Sequence, residues 1–136
     1  MITNKAFDGK TILVTGASRD SDIGFGIAQA LAGCGARLIL VGRRREEVEK
    51  TRDELENSEQ HIVAPFDLYG MDAIPAWLGQ LAAEHGRLHG IVHSASVQCY
   101  SPINTIKKPS LEDYFLLNVR APMACACGLC QRGVAP

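Results

Sequence analysis

The residues best placed to do chemistry lie between Thr15 and Gly26, in the run Thr-Gly-Ala-Ser-Arg-Asp-Ser-Asp-Ile-Gly-Phe-Gly. A glycine-rich stretch that leaves a strand and opens a helix presents unpaired backbone N–H groups at the positive end of that helix, which suits a phosphate. Gly16 is expected to make the sharp turn, Gly24 to let the backbone approach a pyrophosphate, and Gly26 to bring the helix tightly against the sheet. Ser18 and Arg19 offer side-chain donors within the same loop, and Phe25 stands between its last two glycines. The chemistry this pattern suits is dinucleotide binding. Without such a setting, the glycines would mean only a flexible turn.

Arg43 and Arg44 sharpen that expectation, because they follow Gly42 at the end of a second apolar run. In a dinucleotide-binding βαβ unit this position meets the adenosine ribose. An acidic residue there suits a free 2′-hydroxyl, and a guanidinium suits a 2′-phosphate. The expected cofactor is therefore NADP in preference to NAD. Arg43 to Arg45 also place three cations at the positive end of a helix, an arrangement that an anion relieves.

These residues need a scaffold, and the hydropathy pattern supplies one. Thr11–Thr15 and Arg37–Val41 are short β-branched or leucine-rich runs of the kind buried on both faces of a parallel sheet. Between them, Ile23, Ile27, Ala30, Leu31 and Cys34 recur at helical spacing, and the pattern stops at Gly33 and Gly35. Residues 45–57 form a second helix with Val48 and Leu55 inward, and residues 61–66 a third strand. Met71, Ile74, Trp77, Leu78, Leu81 and His85 trace a third helix that has Pro75 in its first turn. Gly90–His93 is a fourth strand. Residues 94–109 read as a long loop, and the capping-box-like Ser110 to Asp113 precedes a fourth helix carrying Tyr114, Leu117 and Met123.

Strict β-α alternation predicts an α/β fold: a Rossmann-like, doubly wound parallel sheet in strand order 3-2-1-4, with the ligand at the switch between strands one and four. Residues 1–136 form one dinucleotide-binding half-domain, in which 124–136 make an atypical C-terminal tail. There Gly128, Gly133 and three cysteines are poor helix chemistry.

Composition excludes several classes. A net charge of -1, with acids and bases interspersed, gives no reason to expect nucleic acid or an anionic membrane as partner. The start from Met1 to Lys10 is polar, and no stretch approaches the roughly 18 apolar residues of a membrane span, so a cytoplasmic protein is expected. Five cysteines (Cys34, Cys99, Cys125, Cys127, Cys130) are an odd number in a chain long enough to fold without staples, which fits reduced thiols. Cys125, Cys127 and Cys130 have no fourth ligand at a recognised spacing, so buried thiols are expected and no metal site.

Taken together, the motifs resemble the classical short-chain dehydrogenase/reductase family over nearly the whole chain. The resemblance is carried by Thr15 to Arg19 with Gly24-Phe-Gly26, by Asp67-Leu68, by His93-Ser-Ala-Ser96 and by Asn118-Val-Arg-Ala-Pro122. It implies that Asp67 and Leu68 flank the adenine and that Ser94, Ala95 and Ser96 run beside the cofactor ribose. It also implies that Asn118 matches the helix asparagine supporting the family's catalytic proton relay.

Three departures qualify the likeness. Asp20 to Ile23 lengthen the glycine loop. His-Ser-Ala-Ser stands where the family has Asn-Asn-Ala-Gly, which loses an amide that ties neighbouring strands and leaves His93 a structural reading. The family's serine and its Tyr-x-x-x-Lys motif are absent, since Tyr69, Tyr100 and Tyr114 have no lysine four residues on.

The expectation is the cofactor-binding part of an NADP-dependent oxidoreductase, inactive by itself, with Asn118 as a support position only. A second reading is a non-catalytic nucleotide-binding or regulatory module whose partner covers the sheet edge at strand four, a homo-oligomer being one such arrangement. An adenosyl-methionine methyltransferase shares the β-α-β start, but its cofactor has no phosphate to engage Arg43.

Overall fold

The structure, a computed structural model, describes residues 5–98 and 100–136. Cys99 and the first four residues of the polar N-terminal stretch lie outside the described residues.

Four parallel strands, β1 (Thr11–Thr15), β2 (Arg37–Val41), β3 (Ile62–Val63) and β4 (Gly90–His93), form one sheet in the order β3-β2-β1-β4. β1 pairs with β2 from Thr11 opposite Arg37 to Thr15 opposite Val41, and with β4 from Ile12 opposite Gly90 to Thr15 opposite His93. The topology matches the one expected from β-α alternation. β3 is shorter than expected, although the Ala64 N–H donates to the Leu40 carbonyl and the Phe66 N–H to Gly42, prolonging the contact with β2.

Both faces of the central strands β1 and β2 are covered, which is why these two read as continuous apolar runs, while β3 and β4 are half-buried. On one face Leu13, Ile39 and Val41 pack with Leu78 and Leu81 of α3 (Ile74–His85) and with Ala121 and Cys125 of a later helix. On the other, Ile12, Val14, Leu38 and Leu40 pack with Ala28 and Ala32 of α1 (Asp22–Gly33) and Val48 of α2 (Arg45–Asp53). Each fully buried leucine, isoleucine or valine contributes on the order of 1.5–3 kcal/mol.

Several local expectations change. In α1 the buried residues are Gly24, Ala28 and Ala32, while Ile23 is 71% exposed. The helix face is rotated because small residues, not the largest ones, allow close approach to the sheet. α2 ends at Asp53, short of residue 57, and Asn57 takes a left-handed conformation before a 3-10 turn. α4 (Lys108–Phe115) begins at Lys108 and carries Pro109 in its first turn, so Ser110 lies inside the helix and does not cap it.

A π-helical turn (Leu116–Arg120) then leads into α5 (Ala121–Leu129). α5 runs through Gly128, which packs against α3: a Cβ there would lie 2.6 Å from a Leu78 methyl and 3.2 Å from Pro75 Cα. The glycine that disfavours a helix locally thus lets two helices touch. Beyond it, Val134 is buried and its carbonyl accepts from the Leu88 N–H at 2.8 Å.

Candidate functional site: a cleft at the carboxyl ends of the strands

The site begins at the turn after β1. Gly16 has φ of 67°, and a Cβ at that position would lie 2.6 Å from the Ala95 backbone nitrogen, so the turn is pressed against the segment that follows β4. A side chain would force these two segments apart. Ala17 donates its N–H to Val41, Ser21 donates to the Ser18 carbonyl, and Ser21 caps α1 by accepting from Gly24. The lengthened loop therefore closes as a tight turn and a helix cap.

Gly24 lies within the first turn of α1, where a Cβ would fall 1.9 Å from the Gly16 carbonyl oxygen. The residue expected to admit a pyrophosphate instead seats the helix against the turn. Gly26, expected to make that helix-to-sheet contact, is exposed, with open space around its Cα. The close contact of the pair is thus made by Gly24, against the Gly16 turn, and not by Gly26.

At the carboxyl end of the sheet these segments enclose a cleft of about 210 Å³. Of the residues singled out in the sequence, Gly16, Ser18, Arg43, Asp67, Leu68, Ser94, Ala95 and Ser96 line it. Arg19, Gly24, Phe25, Gly26 and Arg44 are not among its lining residues. The Arg19 guanidinium lies 4.2 Å from the centre of the Phe25 ring and binds Glu54 at 2.9 Å, which draws it toward α2. Arg44 pairs with Asp20, which does line the cleft.

Other lining residues went unrecognised in the sequence. Gly42 allows Ser18 and Val48 close to β2: a Cβ there would meet their side chains at 2.8 and 2.7 Å. A glycine directly after a buried strand was the available signal. Phe66 lines the cleft and stacks on Trp77, with ring centroids 4.1 Å apart. Asp67 folds its own turn, since Oδ1 accepts from the Tyr69 N–H at 3.1 Å.

Thr15 is a polar hub. Its Oγ1 accepts from the Ser94 and Ala95 N–H groups at 3.1 and 3.2 Å and lies 3.0 Å from His93 Nδ1. With both acceptor positions used, the hydroxyl proton goes to Nδ1. The Nε2–H then donates to the Leu117 carbonyl at 3.3 Å. This arrangement holds the imidazole neutral, and burial pushes its pKa below the ordinary 6.5. The imidazole supplies the strand-to-strand tie that the sequence suggested was lost with the family's amide.

Asn118, in the π-helical turn, clamps Val97: Oδ1 accepts from the Val97 N–H and Nδ2 donates to its carbonyl, both at 2.9 Å. A one-residue widening of a helix often marks a functional position. Here it turns a side-chain amide onto the backbone bordering the cleft.

The comparisons with known proteins agree with this geometry. The family model for short chain dehydrogenase matches residues 10–132. The chain belongs to the short-chain dehydrogenase family. It is 32% identical over 126 residues to the L-xylulose reductase of Caenorhabditis elegans, covering 93% of this chain and 49% of that protein. Among solved structures, the citronellol catabolism dehydrogenase of Pseudomonas aeruginosa PAO1 superposes with a TM-score of 0.80 at 30% identity, over 95% of this chain and 52% of that one. A metagenomic short-chain oxidoreductase in complex with NADP gives 0.79 at 30% identity, over 90% of this chain and 56% of that one. The chain thus spans about half the length of these relatives.

Short-chain dehydrogenases are oxidoreductases that bind a nicotinamide dinucleotide, and two features of the cleft fit such a group. Gly16 and Gly42 line the cleft as bare backbone, and a Cβ on either would collide with neighbouring protein atoms, so the floor stays free of side chains there. Ser94, which lines the cleft, has a buried Oγ with no hydrogen-bond partner among the described residues, a polar atom that the protein itself leaves unsatisfied. Among the described residues no helix is long and apolar enough to cross a membrane, and no cluster of three or more His, Cys, Asp or Glu side chains could hold a metal ion.

Proposed function

We propose that the chain is the NADP(H)-binding portion of a short-chain dehydrogenase/reductase-like oxidoreductase, whose reaction is hydride transfer between nicotinamide and a carbonyl or alcohol. The observation that carries the reading is the cleft itself, in which the Gly16 turn, Arg43, the Asp67-Leu68 turn and Ser94 to Ser96 converge at the switch between β1 and β4. The cofactor, when bound, supplies the hydride. The chain's own residues bind and orient it. Gly16 and Ser18 would hold the pyrophosphate, Arg43 a 2′-phosphate, Asp67 and Leu68 the adenine, and Ser94 to Ser96 the ribose.

Asn118 holds the strand-four segment in place through Val97 and is a positioning residue. No tyrosine of this chain has a lysine four residues on, so the chain as it stands is expected to bind cofactor without turning over substrate. A cytoplasmic location remains our reading of the composition. Titration of the purified protein with NADPH and NADH, following Trp77 emission, tests the proposal. Micromolar NADPH binding that Arg43→Ala weakens, with NADH affected less, supports it; binding of neither cofactor rejects it.

A second reading, a non-catalytic nucleotide-binding module acting through a partner, is favoured by one observation. Ile103, Ile106, Leu111, Phe115, Val119 and Met123 are all exposed along 103–123. A homo-oligomer is the partner mode tested first. Sedimentation that stays monomeric up to high protein concentration counts against self-association.

A further inference from the structure

We propose that Asp20 sets how strongly the cleft discriminates between cofactors with and without a 2′-phosphate. The inference rests on the cofactor reading above and concerns the extra stretch of the glycine loop, which that reading leaves without a role. Asp20 and Arg43 line the same cleft, and the Asp20 carboxylate pairs with the Arg44 guanidinium. Its place at the cleft is fixed by backbone, since the Ser21 N–H donates to the Ser18 carbonyl at 2.9 Å and the Arg19 N–H to the Glu47 carbonyl at 3.2 Å.

The Asp20–Arg44 pair is exposed on both sides, at 57% and 61% of the side-chain surface. Exposed pairs of this kind contribute little to folding. The chief consequence of the carboxylate is therefore on what else the cations beside it can hold. Arg43 and Arg44 together would offer two guanidinium groups to a 2′-phosphate, which carries close to two negative charges at neutral pH. With Asp20 present, one of those groups is already neutralised. An incoming phosphate must displace the carboxylate or bind to Arg43 beside a like charge. A 2′-hydroxyl meets no such repulsion and can donate to the carboxylate. Asp20 therefore lowers affinity for the 2′-phosphorylated cofactor and supports the one that lacks it, tempering the preference that Arg43 creates.

The test is the ratio of NADPH to NADH dissociation constants in the wild-type protein, Asp20→Asn and Asp20→Glu, with circular dichroism as a check on folding. Asp20→Asn is expected to tighten NADPH about tenfold relative to NADH, an advantage that shrinks as salt is raised. Asp20→Glu, which keeps the charge, is expected to retain the wild-type ratio. An unchanged ratio in Asp20→Asn, or an equal shift for both cofactors, overturns the inference while leaving the cofactor reading intact. A wild-type protein that binds neither cofactor overturns the cofactor reading, and this inference falls with it.

Discussion

The Thr15 hydroxyl lies 3.0 Å from His93 Nδ1 and links the carboxyl ends of β1 and β4, the two strands between which the cleft opens. A protonated imidazole would turn a third donor toward an oxygen that already accepts from the Ser94 and Ala95 N–H groups. His61 is in a similar position. Its Nδ1 accepts from the Leu38 N–H at 3.1 Å, its Nε2 lies 2.9 Å from the Glu56 carbonyl, and burial pushes its pKa down as well. Both groups charge more readily in the unfolded chain. The unfolded state therefore binds more protons, and stability rises with pH through this window. The stabilisation from both is complete above about pH 6.5 and is lost as pH falls toward the lower folded values. Urea midpoints at pH 8, 6.5 and 5 are expected to decline in that order; a flat series would contradict the neutral assignment of both rings.

Gly24→Ala is expected to destabilise the protein by about 1–3 kcal/mol or more, because the added methyl meets the Gly16 carbonyl oxygen, a backbone atom that cannot rotate away. Gly26→Ala, two residues on and facing open space, gains helix propensity and is expected to be neutral or slightly stabilising. Thermal denaturation of the pair separates the two glycines; equal losses would sink the assignment of the close contact to Gly24.

Ser94→Ala separates binding from folding. Its Oγ makes no hydrogen bond among the described residues, so removal is expected to leave the melting temperature unchanged or raised, since a buried unpaired polar atom is lost. If the hydroxyl serves a cofactor ribose, the same change weakens nucleotide binding by about 0.5–1.5 kcal/mol. A variant with lowered stability and wild-type affinity would show that Ser94 has an internal partner instead.

Much of this site was legible in the sequence. β1 and β2 were, because burial on both faces leaves an unbroken apolar run that needs no periodicity to be seen, and the short, half-buried β4 followed from β-α alternation. The placement of Gly16, Arg43 and Ser94 to Ser96 followed, since each stands at the carboxyl end of one of those strands. What sequence could not settle was direction and distance. Ile23 and Ala28 both fit a helical stripe, and only the close approach of α1 to the sheet decides that the smaller one faces inward. Arg19 and Arg44 carry the right charge in the right segments, yet neither lines the cleft, and each pairs with a carboxylate remote in sequence, Arg19 with Glu54 and Arg44 with Asp20. Gly128 was legible only as a helix breaker because its compensation, contact with Leu78 and Pro75 of α3, is tertiary.

Asn118→Ala removes both hydrogen bonds to Val97 and leaves a partly buried N–H and carbonyl unpaired, at a cost of about 1–3 kcal/mol. Asn118→Asp keeps the acceptor for the Val97 N–H but loses the donor to its carbonyl, and should fall between the two. Hydrogen exchange supplies the local readout: the Val97 amide is expected to exchange faster in the alanine variant than in the aspartate variant. Equal protection of Val97 in all three proteins would mean that the segment after β4 is held by the Thr15 contacts alone.

The thiols of α5 are predicted to react in a fixed order. Cys125 is buried between the sheet and α5, and burial raises its thiol to about 11, so little thiolate exists there at neutral pH. Cys127 and Cys130 are exposed, against the expectation of buried thiols at all three positions, because α5 turns only Cys125 of the three toward the sheet, and Cys34 is partly exposed. Iodoacetamide at pH 8 followed by peptide mass mapping should label Cys127 and Cys130 first and Cys125 last. Mild urea should bring the Cys125 rate up toward theirs, because its protection is a property of the packed core and not of the residue. Early labelling of Cys125 in native buffer would mean that α5 is not seated on the sheet. The buried contact that Gly128 makes with Leu78 would then have to be abandoned as well.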